Sequence, residues 1–213
     1  MAHWTLQSGA DTPWMFQPGE RRIQGFRSTH QLSPWLSDYG HAAFLPFCGE
    51  INPDSSKRAS SYRPEEATFA PHSLRLHLAR YGVDAELIPT ERCALIRASF
   101  AKPDVPGFLF DIPGEHPPDI HQDAVRRTIS FTSTANSGGV PDNFATYYVL
   151  QFSEHWETFG MTELKNHSVG LVYFSADTKS LDVRVATSFI SFEQAQRNLD
   201  HELGAGSAED LLQ

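Results

Sequence analysis

The feature that most constrains the fold is a two-residue alternation of apolar and polar side chains that begins near residue 74. Leu74, Leu76 and Leu78 alternate with Arg75 and His77. The same alternation recurs in later stretches, which lie around 83–87, 96–100, 108–112, 146–152, 169–174 and 181–189. Successive side chains of a strand point to opposite faces, so this pattern predicts half-buried β-strands.

The breaks between these stretches are rich in turn-forming residues. Examples are Tyr81-Gly82, Pro106-Gly107, Pro113-Gly114 and Asn136-Ser137-Gly138-Gly139. Many short strands at this spacing indicate a mostly β protein, and an antiparallel β-sandwich is favoured over an alternating α/β fold. We therefore predict one β-sandwich domain over residues 1–203.

One convincing helix follows the last strand. Ser191 is placed as its N-cap and Gln194 as the N3 residue of a capping box. Ala195 and Leu199 then fall on one face with Phe192, and a glycine at position 204 can end the helix. Residues 204–213 are predicted to be a linker beyond this short C-terminal exit helix.

Charge and composition exclude several classes of partner. The net charge of the 213-residue chain is -9, and it has no cluster of Lys and Arg for phosphate contacts, which argues against nucleic acid. No stretch approaches the length of a transmembrane helix, so no membrane partner is expected. The opening Met1-Ala2-His3-Trp4-Thr5 is not a signal peptide, and the compartment stays open. Cys48 and Cys93 lie in apolar runs and are predicted to be buried free thiols.

The segment from Gly25 to Gly40 is the best candidate for a binding site. It combines the indole ring of Trp35 with several polar groups, which are Thr29, His30, Gln31 and Asp38. Hydroxyl, amide, imidazole and carboxylate groups suit sugar hydroxyls, and an indole face suits the apolar side of a pyranose. The alternative is a structured turn in which Trp35 and Tyr39 pack on the sheet.

Two other segments carry polar groups. The Gly-rich stretch Thr132–Phe144 is interpreted as a turn between strands, and no Lys follows it to make a phosphate cradle. The segment Glu115–His121 holds two histidines and two carboxylates, which would suit a metal, but its prolines favour a solvated loop. No hydrolytic nucleophile motif is present, and no local pattern singles out an acid and a base.

Several motifs together resemble a known family. They are Ile23-Gln24-Gly25-Phe26, Thr29-His30-Gln31, Trp35 and Ser37-Asp38-Tyr39-Gly40, supported by Ser191-Phe192-Glu193-Gln194-Ala195 at the exit. The sequence resembles the N-terminal domain of glycoside hydrolase family 92, the calcium-dependent inverting α-mannosidases. The resemblance covers nearly the whole chain.

That resemblance implies a supersandwich of the galactose-mutarotase type joined to a C-terminal (α/α)6 barrel. It implies exo-acting α-1,2-type hydrolysis with inversion in the full enzyme and a mannose-containing glycan as substrate. The mannose contacts would come from Thr29, His30, Gln31, Trp35 and Asp38, with Phe144 as a weaker candidate. The family's catalytic acid and base and its Ca²⁺ ligands belong to the barrel, so no catalytic or metal-binding residue is expected in this chain.

The resemblance also implies that residues 204–213 begin the connection to the barrel, which would lie in the same or a separate chain. Relatives are often exported. Two other functions stay open from the sequence. One is a stand-alone carbohydrate-binding β-sandwich without catalysis, and the other is an interaction domain whose sugar loop is vestigial.

Overall fold

The computed structural model describes residues 2–8, 19–30, 39–114 and 116–204. These residues form mostly strands, with two α-helices and one 3₁₀ turn at Pro64–Glu66. The strands are β1 (His3–Ser8), β2 (Arg22–Thr29), β3 (Ala42–Cys48), β4 (Ser60–Ser61), β5 (Thr68–Ala70), β6 (Ser73–Leu78), β7 (Val83–Pro89), β8 (Cys93–Phe100), β9 (Pro106–Pro113), β10 (Ile120–Asp123), β11 (Thr128–Ser133), β12 (Thr146–Phe152), β13 (Trp156–Leu164), β14 (His167–Phe174) and β15 (Ser180–Ser188). The helices are α1 (Ser55–Arg58) and α2 (Phe192–Leu203).

The described strands pair into two antiparallel sheets. The first has the order β1-β2-β3-β9-β14-β13, with β4 paired to β2, and the second has the order β10-β11-β12-β15-β8-β7-β6-β5. The two sheets pack face to face, which confirms the predicted antiparallel β-sandwich. Since β2 and β3 lie in one sheet and β11 and β12 in the other, the connections within these two pairs can meet at one end of the sandwich.

Aromatic rings fill the space between the sheets. Phe110 of the first sheet stacks on Phe131 of the second with ring centroids 5.0 Å apart, and Phe131 stacks on Tyr148 at 4.8 Å. A Cβ atom on Gly170 would lie 2.1 Å from the Phe110 ring, so a glycine is needed beside it. Burying such a ring stabilises the fold by about 1.5–3 kcal/mol.

Helix α2 packs on the outer face of the second sheet. Its apolar side chains Ala195, Leu199 and Leu203 form a buried cluster with Val149 and Ala186 of the sheet. Its N-cap follows the prediction, because the Ser191 hydroxyl accepts a hydrogen bond from the Gln194 backbone N–H at 3.2 Å.

The second half of the predicted capping box is replaced by another contact. The Gln194 side chain donates forward to Asn198 Oδ1 at 3.0 Å. The helix does end at the predicted glycine, whose φ is -50° and therefore outside the left-handed region.

The structure corrects the predicted extent of the binding loop. Residues Gly25–Thr29, which the sequence places in a loop, belong to strand β2. Two of its polar side chains are buried with partners: Arg27 donates to Gln7 Oε1 at 2.7 Å, and the Ser28 hydroxyl lies 2.6 Å from that of Tyr148. From its second residue onward β2 is buried on both faces, and it carries polar residues among apolar ones. Its sequence therefore shows no alternation of apolar and polar side chains, and the strand is not predicted from it.

Cys48 and Cys93 are both buried and free, as predicted. Burial raises the pKa of both thiols. In the part of the chain that the structure describes, no helix is long and apolar enough to cross a membrane.

Candidate functional site

Two connections meet at one end of the sandwich, one between β2 and β3 and the other between β11 and β12. The Gly40 backbone N–H donates to the Ala135 carbonyl at 2.6 Å, and the Ser133 hydroxyl donates to the His41 carbonyl at 2.8 Å. These bonds fasten the end of the first connection to the start of the second. The structure therefore brings together the two segments that the sequence treats separately.

Gly40 is a fixed point of this junction. Its φ is +58°, and a Cβ atom there would lie 1.7 Å from the Thr146 hydroxyl oxygen. The buried Tyr148 hydroxyl donates to the Gly40 carbonyl at 2.6 Å. Because the phenol proton is used in that bond, the Ser28 hydroxyl acts as donor to Tyr148. The buried core thus holds the downstream end of the predicted sugar loop in place.

The Gly-rich segment is the turn that the sequence predicts. Asn136 Oδ1 accepts from the Gly138 backbone N–H at 2.9 Å, and Asn136 Nδ2 donates to the Thr134 carbonyl at 2.9 Å. Gly138 and Gly139 have φ values of +95° and +76°, which favour glycine. The Tyr39 hydroxyl donates to the Gly138 carbonyl at 3.0 Å, so this turn also lies against the first connection.

An aromatic hollow of about 460 Å³ lies where the two connections meet. Phe144 and Phe189 line it with ring centroids 5.8 Å apart, and Tyr39 meets Phe144 edge to face at 6.1 Å. Val140 adds an aliphatic side chain. We define the aromatic hollow by His30, Tyr39, Gly139, Val140, Phe144 and Phe189. Such a concave apolar wall with a few polar groups suits a small ligand.

His30 provides the imidazole of the hollow. Its ring lies edge to face on Phe189, with centroids 4.7 Å apart. Nε2 lies 3.4 Å from the Thr187 hydroxyl oxygen, and Nδ1 lies 3.3 Å from the Tyr39 carbonyl. The Thr187 hydroxyl donates to the Arg92 carbonyl at 3.0 Å, so its oxygen is the acceptor for His30. The Tyr39 carbonyl can also only accept, so a neutral His30 ring donates to one of these two oxygens and not to both. Thr187 belongs to strand β15, so one neighbour of the ring is set by the sheet.

The predicted contact residues divide into three groups in the structure. His30 and Phe144 lie together in the hollow. Thr29 ends β2, is fully buried and is not among the residues that line the hollow. Gln31, Trp35 and Asp38 lie outside the described residues. The role of all six in binding mannose stays a prediction.

Phe189 is the residue that the sequence reasoning missed. The alternating pattern predicts it as the last position of a strand, but it follows β15 and is 50% exposed, with the neighbouring Ile190 74% exposed. Two large apolar residues immediately before the N-cap Ser191 were the available signal. Two adjacent large apolar side chains that stay exposed do not contribute to the core, and they indicate a contact surface.

Helix α2 is tied to the same region. The Asn198 side chain donates to the Thr187 carbonyl at 2.8 Å. Near the end of the helix, the Glu202 carboxylate accepts hydrogen bonds from the Thr90 hydroxyl at 2.6 Å and from the Arg92 backbone N–H at 2.9 Å. It also accepts from Arg92 Nε at 2.6 Å. Burial alone would raise the pKa of Glu202, but these bonds outweigh it and hold the pKa below its usual range.

A buried ion pair lies on the first sheet. The Arg58 guanidinium donates to Asp111 Oδ2, and their side chains are 1% and 6% exposed. Asp111 Oδ1 lies 2.9 Å from Nδ1 of His167. Burial works to raise the pKa of Asp111, but Arg58 and the bond from His167 prevail and lower it. Asp111 is therefore ionised in the folded protein at neutral pH.

No cluster of three or more His, Cys, Asp or Glu side chains that could hold a metal ion occurs among the described residues. In the segment that invited a metal hypothesis, Asp119 and His121 form an exposed pair with Oδ2 and Nε2 3.3 Å apart. Ca²⁺ takes six to eight oxygen ligands. The described residues do not fit calcium, so we derive no step through it.

Comparison with known proteins identifies the family. The model of the glycosyl hydrolase family 92 N-terminal domain matches residues 1–199. The chain is similar to the family GH92 inverting mannosidase BT2199 from Bacteroides thetaiotaomicron VPI-5482, with 26% identity and a TM-score of 0.91. That match covers 99% of this chain and 30% of the solved one. No curated protein matches the chain.

Two further structures share the fold. The family GH92 α-mannosidase BT3965 from Bacteroides thetaiotaomicron is 19% identical with a TM-score of 0.75, and the GH92 family glycosyl hydrolase ccman5 is 15% identical with a TM-score of 0.77. Each match covers 99% of this chain, and 32% and 31% of the solved chains respectively. The chain thus spans about a third of the length of these structures. With the family model matching nearly its whole length, the chain belongs to the glycosyl hydrolase family 92 N-terminal domain family.

Proposed function

We propose that this chain is the N-terminal β-sandwich domain of an α-mannosidase and that it supplies substrate contacts rather than catalysis. The observation that carries the proposal is the aromatic hollow, in which His30 and Tyr39 lie together with Gly139, Phe144 and Phe189. Family membership supplies the substrate class, a mannose-containing glycan. BT2199, which is 26% identical, is a mannosidase by name, and this supports the same class.

A terminal mannose would bind in the hollow by dividing its two sides between apolar and polar groups. The C–H face of the ring would lie against Phe144 and Phe189, which stand 5.8 Å apart. Hydroxyl groups would be met by His30 from the wall and by Asp38 as a charged acceptor. Trp35 would add a second stacking surface, and Gln31 an amide.

The reaction proposed for the full enzyme is exo-acting hydrolysis of an α-1,2-type linkage with inversion. Inversion needs an acid and a base about 6.5–9.5 Å apart across the scissile bond. Among the described residues, the hollow is lined by aromatic rings, one imidazole, Val140 and Gly139, and by no carboxylate. By family membership, we assign the catalytic pair, and with it the Ca²⁺ ligands, to a C-terminal (α/α)6 barrel in the same or a separate chain.

We also propose that residues 1–203 form the domain and residues 204–213 begin the connection to the barrel. Helix α2 ends at Leu203, and Glu202 fastens its last turn to the connection between β7 and β8. The helix would therefore leave the domain in a fixed direction. A fixed direction would help the barrel to face the hollow.

Mannose binding by the 213-residue chain tests the proposal. Titration calorimetry with methyl α-D-mannopyranoside is expected to give weak binding that falls in Phe189→Ala and Trp35→Ala. Phe69→Ala is the matched control, because Phe69 is 47% exposed and lies on β5, at the far edge of the second sheet. Binding that is equal in all variants would contradict the assigned contacts.

Turnover distinguishes the domain from a complete enzyme. The chain alone is expected not to hydrolyse an α-mannoside, whereas addition of a family 92 barrel is expected to give activity that depends on Phe189. Hydrolysis by the pure chain that is lost on substitution of one of its own acidic residues would refute the proposal. Mannose binding without any gain from the barrel would instead favour a stand-alone carbohydrate-binding sandwich.

A further inference from the structure

A second and larger cleft lies beside the aromatic hollow. Its volume is about 760 Å³, within the range of about 300–1,000 Å³ typical of small-molecule sites. It is bounded by the segment that follows β9, by the Gly-rich turn before β12 and by the turn between β13 and β14. We call it the histidine cleft, because His41, His116 and His167 line it together with Asn166 and Asp142.

The lining favours a neutral ligand with hydroxyl groups. Within the described ranges, no Lys or Arg lines the cleft, so an anion has no counter-charge there. Asp142 is the one described carboxylate in the lining, and a single carboxylate does not suit a divalent cation. Imidazole and amide groups both donate and accept hydrogen bonds, as hydroxyl groups do. Pro113 and Pro117 add rigid apolar surface of the kind that a sugar's C–H face covers.

The walls of the cleft are held in place by the fold. The Gly114 backbone N–H donates to the Asn166 carbonyl at 3.0 Å and joins two of the three bounding segments. His167 Nδ1 lies 2.9 Å from Asp111 Oδ1, and Asp111 is fixed in turn by the buried Arg58. Since the ionised carboxylate can only accept, Nδ1 is the donor and the ring orientation is set. A ligand therefore meets groups that need little ordering on binding.

The histidine cleft and the aromatic hollow are neighbours. Val140 and Phe144 line both, so the Phe144 side chain forms part of the wall between them. A chain of two or more linked rings could place one ring on each side of that wall.

We propose that the histidine cleft is a second carbohydrate subsite, which takes a neutral ring of the glycan whose terminal mannose enters the aromatic hollow. The identity of the glycan rests on the proposed function, but the neutral, hydroxylated character of the ligand follows from the cleft itself. His116 and Asn166 act as direct hydrogen-bonding contacts to the sugar.

The NMR chemical shifts of the backbone amides, measured on the ¹⁵N-labelled 213-residue chain, test this proposal. Titration with an α-linked mannobiose is expected to shift the signals of Gly114 and Asn166 in the cleft as well as those of Tyr39 and Gly139, which line the hollow but not the cleft. His116→Ala should weaken mannobiose binding about three- to tenfold, the effect of one lost hydrogen bond. His155→Ala is the control, since this exposed histidine lies at the opposite end of β12.

Asn166→Gly provides a variant with the backbone preserved, because Asn166 has a φ of +62° that glycine adopts readily. It too should weaken mannobiose binding and leave methyl α-D-mannopyranoside binding unchanged. Shifts at the hollow without shifts at Gly114 and Asn166 would refute the subsite and leave the proposed function standing. Shifts in the cleft alone would support the subsite and refute the proposed function, and shifts at neither place would refute both.

Discussion

Replacing Asp111 by Asn is expected to lower the free energy of unfolding by about 3–5 kcal/mol, the cost of breaking a buried ion pair. Arg58 is 1% exposed, so Asp111→Asn leaves a guanidinium in the interior without its counter-charge. Arg58 keeps its hydrogen bond to the Pro53 carbonyl at 2.9 Å. That bond satisfies one donor but does not neutralise the charge.

Urea denaturation followed by tryptophan fluorescence and far-UV circular dichroism measures the effect. With a slope of about 2–3 kcal/mol/M, the expected loss lowers the midpoint by about 1–2.5 M. The control is Glu66→Gln, which breaks the exposed pair of Glu66 with Arg63 and should change stability by less than about 1 kcal/mol. An Asp111→Asn midpoint within the range of this control would refute the assignment of a costly buried charge.

A double replacement separates charge from packing. Arg58→Leu together with Asp111→Leu removes both charges, and buried pairs replaced by apolar residues are often neutral or more stable. The double variant should therefore regain most of the stability that Asp111→Asn loses. A double variant no more stable than the single one would indicate that packing, not the unpaired charge, sets the cost.

The same pair predicts an acid-dependent contribution to stability. The pKa of Asp111 is lowered in the folded state, so its contribution is complete above the unfolded value of about 3.9 and is lost as the pH falls through the folded value. The stability gap between the parent chain and Asp111→Asn should accordingly close below about pH 4. A gap that persists unchanged into strong acid would contradict the linkage.

Three further changes probe the supports of the site. Gly40→Ala should cost at least about 1 kcal/mol, seen as a lower melting temperature, because its Cβ would lie 1.7 Å from the Thr146 hydroxyl at a φ of +58°; an unchanged melting temperature would contradict the need for glycine. Tyr148→Phe should cost about 1–3 kcal/mol in urea denaturation because it leaves the Gly40 carbonyl without its buried donor, and a neutral result would mean that water replaces it. Glu202→Gln should cost about 1–3 kcal/mol at neutral pH and progressively less below about pH 4, since the pKa of Glu202 is lowered in the fold and its bonds to Arg92 are lost on protonation. A cost independent of pH would exclude that charge effect.

Strands with one buried face were predictable from the sequence. In β6, Leu76 and Leu78 are buried while Arg75 is exposed, and this contrast is what the alternation records. Strands without this alternation are not predicted from the sequence. β13 is exposed or half-buried along its whole length, and β10 is only four residues long, so neither gives a clear alternation.

The sequence names candidate residues for the site, but it does not show which of them lie close together in the fold. His30 and Phe144 are more than a hundred positions apart, and they meet only because their connections leave adjoining sheets at the same end of the sandwich. Phe189 joins them from a third segment, after β15. No local pattern encodes such a meeting, since it depends on strand order. Burial of Thr29 likewise depends on its neighbours in the sheet.

The anchoring of helix α2 has a consequence for how the domain can be trimmed. Glu202 reaches Arg92, the Arg92 carbonyl accepts from Thr187, and the Thr187 oxygen faces His30. A shortened version that stops before position 202 would keep the residues of both sheets but lose the bonds from Glu202 to Arg92, whose carbonyl accepts from the Thr187 hydroxyl beside His30. We therefore expect the functional boundary of the domain to lie at the last turn of the helix and not at the last strand, so that a domain moved into another protein should include the helix.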